Sequence, residues 1–246
     1  MKHTILLEKE VDVLIVSAGG VGTTFLLKAI GQYKKTNHVS NDDGFKHITI
    51  PPITSNRNLK VIYVFGNPIT ATMSLFRRNF HHTQSYKMQQ YLPKGYRVKM
   101  ETSLEEYAAK GEDGFYFWRH FNNWWAQYLV YPTLFLRYET LFEHVNQIAN
   151  FLELPESFVN DFPAKKIRNS QVGNLDKATL NNLEKIYGGL QADFDRLPDF
   201  FIKEGIDLKS YSVLLARPYY IGVKKLFWKK MPFLRRLKNR AESLGT

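Results

Sequence analysis

The sequence has no cysteine among its 246 residues. Disulfide bonds, thiol catalysis and cysteine-ligated metal sites are therefore excluded, and we expect no metal. No apolar run approaches the roughly 20 residues that a transmembrane helix needs. The apolar runs near the N-terminus are short and interrupted by charged residues, unlike the core of a signal peptide. These absences predict a cytoplasmic protein.

Repeats, low-complexity blocks and Pro/Gly-rich linkers are also absent from the first 200 residues. Hydrophobic residues make up 44% of the chain, which is enough to form one sizeable core. We therefore predict a single domain over residues 1–205, followed by a tail over residues 206–246.

Acidic residues are scarce at the end of the chain. Residues 217–246 hold nine Lys or Arg and one acid, a net charge of +8, so the +11 of the whole chain leaves only +3 for the rest. This nearly neutral body argues against nucleic acid as a partner of the whole protein. Between the cations of Arg217–Arg240, apolar residues recur three and four positions apart. That pattern is typical of a helix on an anionic membrane surface, which would make the protein peripheral on the cytoplasmic face. A helix docked on the body and a nucleic-acid arm are the alternatives.

A glycine-rich turn follows the first apolar run. Val13–Val16 is predicted as a buried strand, and helical apolar spacing begins after the turn. Such a turn brings backbone N–H groups and the positive end of the helix dipole to one point, where phosphate or sulfate binds. A nucleotide-kinase loop would need Gly-Lys-Ser/Thr, which is missing here, and a tight turn without a ligand is the alternative. The candidate anion-binding residues are Gly19, Gly20, Val21, Gly22, Thr23 and Thr24.

Two further apolar runs, Lys60–Phe65 and Thr133–Tyr138, are predicted as buried parallel strands. Their alternation with helices predicts an α/β fold, a parallel sheet flanked by helices. Phe45–Pro52 is predicted as a short strand and His81–Gly114 as an irregular excursion on the substrate side. Phe115–Val130 is predicted as an aromatic helix, for which packing on the sheet is favoured over a role as a sugar platform.

Two helices are predicted towards the end of the body. Thr140-Leu141-Phe142-Glu143 has the sequence of a capping box, which would open a helix that runs to Phe151 or Leu152. Leu175–Leu197 carries apolar residues at helical spacing.

Four stretches of the sequence carry recognisable motifs, in the order Ser17–Phe25, Val61–Pro68 with Ser74, Tyr138–Leu141, and Leu183–Phe194 with Tyr187 and Asp193. In order and spacing they resemble the motifs of the sulfotransferase superfamily over about Val11–Leu197. They are similar, in turn, to the family's 5′-phosphosulfate loop, its 3′-phosphate element, its Y-E-(D/T)-L strand end and its closing helix. The resemblance implies a P-loop-like fold and 3′-phosphoadenosine-5′-phosphosulfate as the sulfonate donor.

The chain departs from the family pattern at two positions. Gly20 stands where the family has the loop lysine that steadies the bridging oxygen as sulfonate leaves. Gly66 stands where it has the arginine that holds the 3′-phosphate. Because glycine carries no charge, other cations would have to neutralise these groups. By resemblance, the cofactor-binding candidates outside the loop are Asn67, Ser74, Arg77 and Arg78.

Sulfonate transfer also needs a base for the acceptor hydroxyl. In the cytosolic branch of the family, the base is a histidine in a K-(T)-H-x-P strand end, which Lys46-His47 resembles. His47 is therefore the candidate base and Lys46 the candidate replacement cation, with a solvated strand-end pair as the alternative. Asp42 and Asp43 are the alternative base, because the glycan-modifying branch uses a carboxylate in this region.

The resemblance predicts a sulfotransferase that acts on a hydroxyl of a carbohydrate or lipid-linked glycan. One alternative is a transferase on the same scaffold that uses another activated donor, such as a nucleotide sugar. Another is a non-catalytic relative that binds a nucleotide, or nothing. The sequence carries no signal for the acceptor's identity or for the oligomeric state.

Overall fold

A computed structural model describes residues 11–54, 56, 58–89, 95–165, 173 and 175–205. The predicted tail, including Arg217–Arg240, lies outside these residues, so its helix and the domain boundary at residue 205 stay predictions. Across the described ranges, every helix is too short or too polar to cross a membrane.

Within the described residues, four strands form one sheet in the order β1-β2-β3-β4. Strands β1 (Val13–Val16), β2 (Lys60–Phe65) and β3 (Thr133–Arg137) run parallel, and β4 (Phe200–Lys203) runs antiparallel to β3. Nearly every residue of the first three is buried, as expected for parallel strands covered on both faces. These strands were predicted to within one residue. Strand β4 was not, because it is short and only half-buried.

Helices flank the sheet, so the predicted α/β class is confirmed. A 3₁₀ turn over Leu141–His144 precedes α6. The helices are α1 (Thr23–Ile30), α2 (Pro68–Arg77), α3 (His81–Met88), α4 (Leu104–Lys110), α5 (Phe117–Trp125), α6 (Val145–Leu152), α7 (Glu156–Asn160) and α8 (Lys177–Phe194).

The prediction for His81–Gly114 is wrong, because this stretch contains α3 and α4. Helix α3 has no apolar stripe, and buried polar side chains such as Gln84 and Ser85 hold it instead. Helix α4 begins at a capping box formed by Ser103 and Glu106.

Two smaller predictions are also wrong. Phe45–Pro52 forms turns instead of a strand, and side chains bind its carbonyl groups where a neighbouring strand would. The capping box at Thr140 does not form, because the chain enters the 3₁₀ turn there and the Thr140 side chain makes no capping bond.

The aromatic helix α5 packs on the sheet. Phe121 lies against Phe65 and Phe135, with ring centroids 5.6 and 5.9 Å apart, and Trp124 lies 5.8 Å from Tyr63. Both side chains are buried, which fits packing and leaves them no face for a sugar. The helix is shorter than predicted and ends at Trp125.

Candidate active site

The loop between β1 and α1 is held from inside by two hydroxyl groups. Ser17 Oγ lies 2.5 Å from Thr23 Oγ1 and accepts a hydrogen bond from the Gly19 amide at 3.1 Å. Helix α1 begins at Thr23, directly after its N-cap residue Gly22, and no side chain within the described ranges caps it. Because the first amides of a helix have no acceptor within it, this end of α1 suits an anion.

Glycine is required at two loop positions because neighbouring elements pack directly on the backbone. A Cβ on Gly20 would lie 2.7 Å from the Ala71 carbonyl oxygen of α2 and 2.8 Å from its Cα. A Cβ on Gly22 would overlap the Tyr138 ring. Both glycines have φ above +70°, which side chains rarely adopt. The family's lysine therefore has no room at position 20 in this chain. Val21, between them, is buried.

Lys46 brings an ammonium group to the start of α1. Its Nζ donates hydrogen bonds to Thr24 Oγ1 at 2.6 Å and to the Val39 carbonyl at 2.8 Å. Burial, together with the positive charges of Lys87 and Arg78, lowers the pKa of Lys46 to about 8. At neutral pH the group is still charged, so it can act as the predicted replacement cation.

His47 is fixed to the other end of the loop. Its Nδ1 lies 2.9 Å from the Ser17 carbonyl, an acceptor, so Nδ1 carries the proton and Nε2 keeps its lone pair. Burial lowers the pKa of His47 to about 3, and the charge of Lys46 contributes to the shift. The imidazole is neutral at pH 7, as a proton acceptor must be.

Asp42 and Asp43 lie in a turn where their carboxylates are already engaged. Asp43 accepts hydrogen bonds from the His38 and Phe45 amides at 2.6 and 3.2 Å. Asp42 is exposed and pairs with His38 at 3.0 Å. These contacts suit organisation of the turn better than removal of a proton from a substrate.

The end of β2 and the start of α2 form the second predicted element. Asn67 caps α2, because its side chain accepts from the Thr70 amide at 3.0 Å. The backbone N–H of Asn67 donates to Glu139 Oε1 at 3.0 Å. A Cβ on Gly66 would lie 2.8 Å from Glu139 Oε2, a buried oxygen without a hydrogen-bond partner among the described residues. A carboxylate thus lies beside the glycine that replaces the phosphate-binding arginine.

The remaining 3′-phosphate candidates lie along α2. Ser74 is buried, and its carbonyl accepts from Arg78 Nε at 3.0 Å. The Arg78 guanidinium lies over the Phe80 ring, 5.4 Å from its centroid. Arg77 and Arg78 are both exposed at the end of the helix.

Helices α3 and α5 support the site through hydrogen bonds that the sequence does not predict. Gln84 of α3 donates to the Ala18 carbonyl of the loop at 2.8 Å. From α5, Trp124 Nε1 donates to the Ile48 carbonyl at 3.0 Å and Asn123 donates to the Thr49 carbonyl at 2.9 Å. These bonds hold the loop and the segment after His47, and no motif marks them.

The predicted closing helix contributes to packing behind the site. Tyr187 of α8 lies 2.5 Å from the Tyr107 hydroxyl and donates to Asp113 at 2.9 Å. Burial raises the pKa of Asp113 to about 6. Asp193 pairs with Arg196 at 3.3 Å.

A small, mainly apolar cavity lies between the loop and the end of β2. Its lining includes Gly19 and Val21 from the loop, Gly66 and Pro68 from the second element, and Phe194 from α8. The two predicted phosphate-binding elements therefore meet at one place. Within the ranges that the structure describes, no group of acidic or histidine side chains could hold a metal ion.

The family model of the sulfotransferase domain matches residues 43–189, more than half of the chain. The chain belongs to the sulfotransferase family. This membership makes it a transferase of the sulfotransferase type. The match includes Lys46, His47 and the second element, whereas the glycine-rich loop precedes it. Neither the curated proteins nor the solved structures gave a significant match.

Proposed function

We propose that this sulfotransferase moves a sulfonate from 3′-phosphoadenosine-5′-phosphosulfate to a hydroxyl of a carbohydrate or lipid-linked glycan. The observation that carries the proposal is that adjacent residues supply a cation and a base to the same loop. Lys46 reaches Thr24 at 2.6 Å, and His47 reaches the Ser17 carbonyl at 2.9 Å. Both groups are thereby held beside the anion site at the start of α1.

The proposed step is an in-line displacement at sulfur. The acceptor oxygen forms a bond to sulfur while the bond from sulfur to the bridging phosphate oxygen breaks. The hydroxyl proton passes to His47 Nε2, and the electron pair of the broken bond stays on the phosphate oxygen. The Lys46 ammonium offsets the charge that develops there, an effect commonly worth about 3 kcal/mol or more of barrier.

Donor binding would also improve the base. The low pKa of His47 arises from burial and from nearby positive charge. A bound phosphosulfate brings negative charge to the same place, which raises the pKa of the imidazole towards a value useful for catalysis.

The acceptor class rests on the family resemblance and on the predicted tail. A helix on an anionic membrane surface would keep the enzyme close to a lipid-linked acceptor. The protein would then work at the cytoplasmic face of a membrane.

Calorimetric titration with 3′-phosphoadenosine-5′-phosphate tests the donor, and His47→Ala tests the base. We expect micromolar binding that survives His47→Ala, whereas turnover is lost. His38→Ala, which removes an exposed histidine, is the matched control and should keep both. Failure to bind the nucleotide would refute the donor, and unchanged turnover in His47→Ala would refute the base.

A second candidate, transfer from a donor without a 3′-phosphate, is favoured by Glu139. Its carboxylate lies beside Gly66, where a phosphate would be repelled and a ribose hydroxyl could donate a hydrogen bond. Binding of a nucleotide sugar without binding of 3′-phosphoadenosine-5′-phosphate would select this candidate.

A further inference from the structure

Helix α3, which packs on the loop, carries a lysine that no family motif predicts. The helix is seated on the loop by Gln84, which donates to the Ala18 carbonyl at 2.8 Å. The contact is close, because a Cβ on Gly19 would lie 2.8 Å from Gln84 Nε2. Lys87 follows Gln84 by three residues and therefore lies on the same side of the helix.

The Lys87 ammonium has no carboxylate within ion-pairing distance among the described residues, although the side chain is half-buried. Burial lowers the pKa of Lys87. Its positive charge lowers the pKa of both Lys46 and His47, so it lies within electrostatic reach of the candidate cation and the candidate base.

This arrangement is unfavourable in the free protein. The positive charges of Lys87 and Arg78 both oppose the charge of Lys46, and the partial burial of Lys46 and Lys87 weakens the screening by solvent. An anion bound between the loop and α3 would relieve the repulsion. The site therefore favours a ligand with more than one negative charge.

We propose that Lys87 supplies from α3 the positive charge that the loop lacks at Gly20, and that it contacts the phosphosulfate around the bridging oxygen. The proposal deepens the function proposed above and rests on it. Gly20 has no space for a side chain, because Ala71 packs on its backbone. A cation for the leaving phosphate must therefore come from another element, and Lys46 and Lys87 belong to two different ones, the turn before His47 and α3.

The test compares Lys87→Met, Lys87→Arg and the control Lys99→Met, which removes an exposed lysine outside α3. Lys87→Met should lower kcat about 100-fold, as expected for loss of one charge-stabilising group. Lys87→Arg should restore most of the rate, and Lys99→Met should leave it unchanged. A rate in Lys87→Met equal to that of the parent would overturn the proposal.

Two readouts do not depend on turnover. Inorganic pyrophosphate, titrated calorimetrically, should bind the parent and Lys87→Arg but bind Lys87→Met at least tenfold more weakly. The pKa of His47, followed by NMR, should rise in Lys87→Met and stay low in Lys87→Arg. Unchanged pyrophosphate binding and an unchanged His47 pKa in Lys87→Met would reduce Lys87 to a structural role and overturn the proposal.

These readouts separate the two proposals. One outcome is that the parent binds pyrophosphate in a Lys87-dependent way but neither binds 3′-phosphoadenosine-5′-phosphate nor transfers sulfonate. That result would refute the proposed donor and support Lys87 as a cation of the anion site. If the parent transfers sulfonate without dependence on Lys87, the donor stands and the role of Lys87 is refuted.

Discussion

Gly22 meets two separate requirements at the start of α1. Its φ of 73° is unfavourable for any residue with a side chain, and the Tyr138 ring occupies the space of a Cβ. Gly44 has nearly the same φ, 74°, but none of the residues that the structure describes lies within 4 Å of the position of its Cβ. Substitutions at Gly22 and Gly44 therefore distinguish the cost of backbone strain, which both share, from the cost of steric overlap, which arises only at Gly22.

Gly44→Ala should therefore lower the free energy of unfolding by about 1 kcal/mol, from the left-handed conformation alone. Gly22→Ala should cost about 2 kcal/mol more, because either Tyr138 or the loop must move. Urea denaturation measures both values. Equal losses in the two variants would mean that Tyr138 has room to move aside at no cost.

The pH dependence of kcat/KM reports the ionisable groups of the free enzyme. With a pKa of about 3, His47 stays deprotonated down to pH 5, so the profile should be flat between pH 5 and 7. Lys46 loses its proton as pH rises through about 8, so kcat/KM should fall above that value. An unperturbed histidine base would instead give a decline below about pH 6.5.

Lys46→Arg provides the control for this profile. The guanidinium keeps its charge throughout this range, so the decline above pH 8 should disappear even if the absolute rate is lower. A decline of the same size in Lys46→Arg would show that a group other than Lys46 causes it.

The sequence predicts Lys46, His47 and the glycine-rich loop as site residues because each lies in a short continuous stretch that resembles a family motif. It also places Glu139 in such a motif but does not predict its position beside Gly66, and it gives no signal for Gln84 or Lys87. Gln84 and Glu139 reach the loop and Gly66 only after α3 and the segment after β3 pack there, and a helix with a polar sequence such as α3 gives no periodic signal.

At the scale of elements, α5 holds the segment that carries the candidate base. Trp124 is fully buried, and its indole donates to the Ile48 carbonyl at 3.0 Å, next to His47. Trp125, its neighbour, is also buried, but its indole nitrogen has no hydrogen-bond partner among the described residues. Replacement by phenylalanine therefore removes a buried indole at either position, but it removes a hydrogen bond only at Trp124.

Trp124→Phe should cost about 1–2 kcal/mol more in free energy of unfolding than Trp125→Phe, since it leaves a buried carbonyl without its donor. It should also lower kcat about tenfold, because an error near 1 Å in the position of His47 is costly, while nucleotide affinity stays the same. Urea denaturation, steady-state kinetics and calorimetry measure these effects. Equal kcat values in the two variants would contradict the supporting role of α5.

The elements that the sequence predicted best are the parallel strands. Lys60–Phe65 is a continuous apolar run, and its bounds coincide with β2 because burial on both faces demands such a run. Phe45–Pro52 alternates like a strand, but the Trp124 and Asn123 side chains bind its carbonyls and the chain forms turns. Tertiary contacts of this kind cannot be read from local pattern.

At the scale of the whole molecule, charge separates the chain into two parts. Residues 217–246 carry +8 and the other residues together +3. The predicted membrane attachment should therefore depend on the lysines and arginines of the tail and not on the overall charge of the protein.

This prediction can be tested with the full-length chain. Changing Lys224, Lys225, Lys229 and Lys230 to Gln should weaken binding to vesicles with anionic lipid by on the order of 4 kcal/mol, at about 1 kcal/mol per cation. The control changes Lys28, Lys99, Lys110 and Lys185, all exposed in the body, and gives the same net charge. Cosedimentation should show loss of binding in the first variant only, and binding by the parent should weaken as salt is raised. Equal losses in the two variants would indicate attraction by overall charge, and persistence of binding in both would exclude the tail lysines as the anchor.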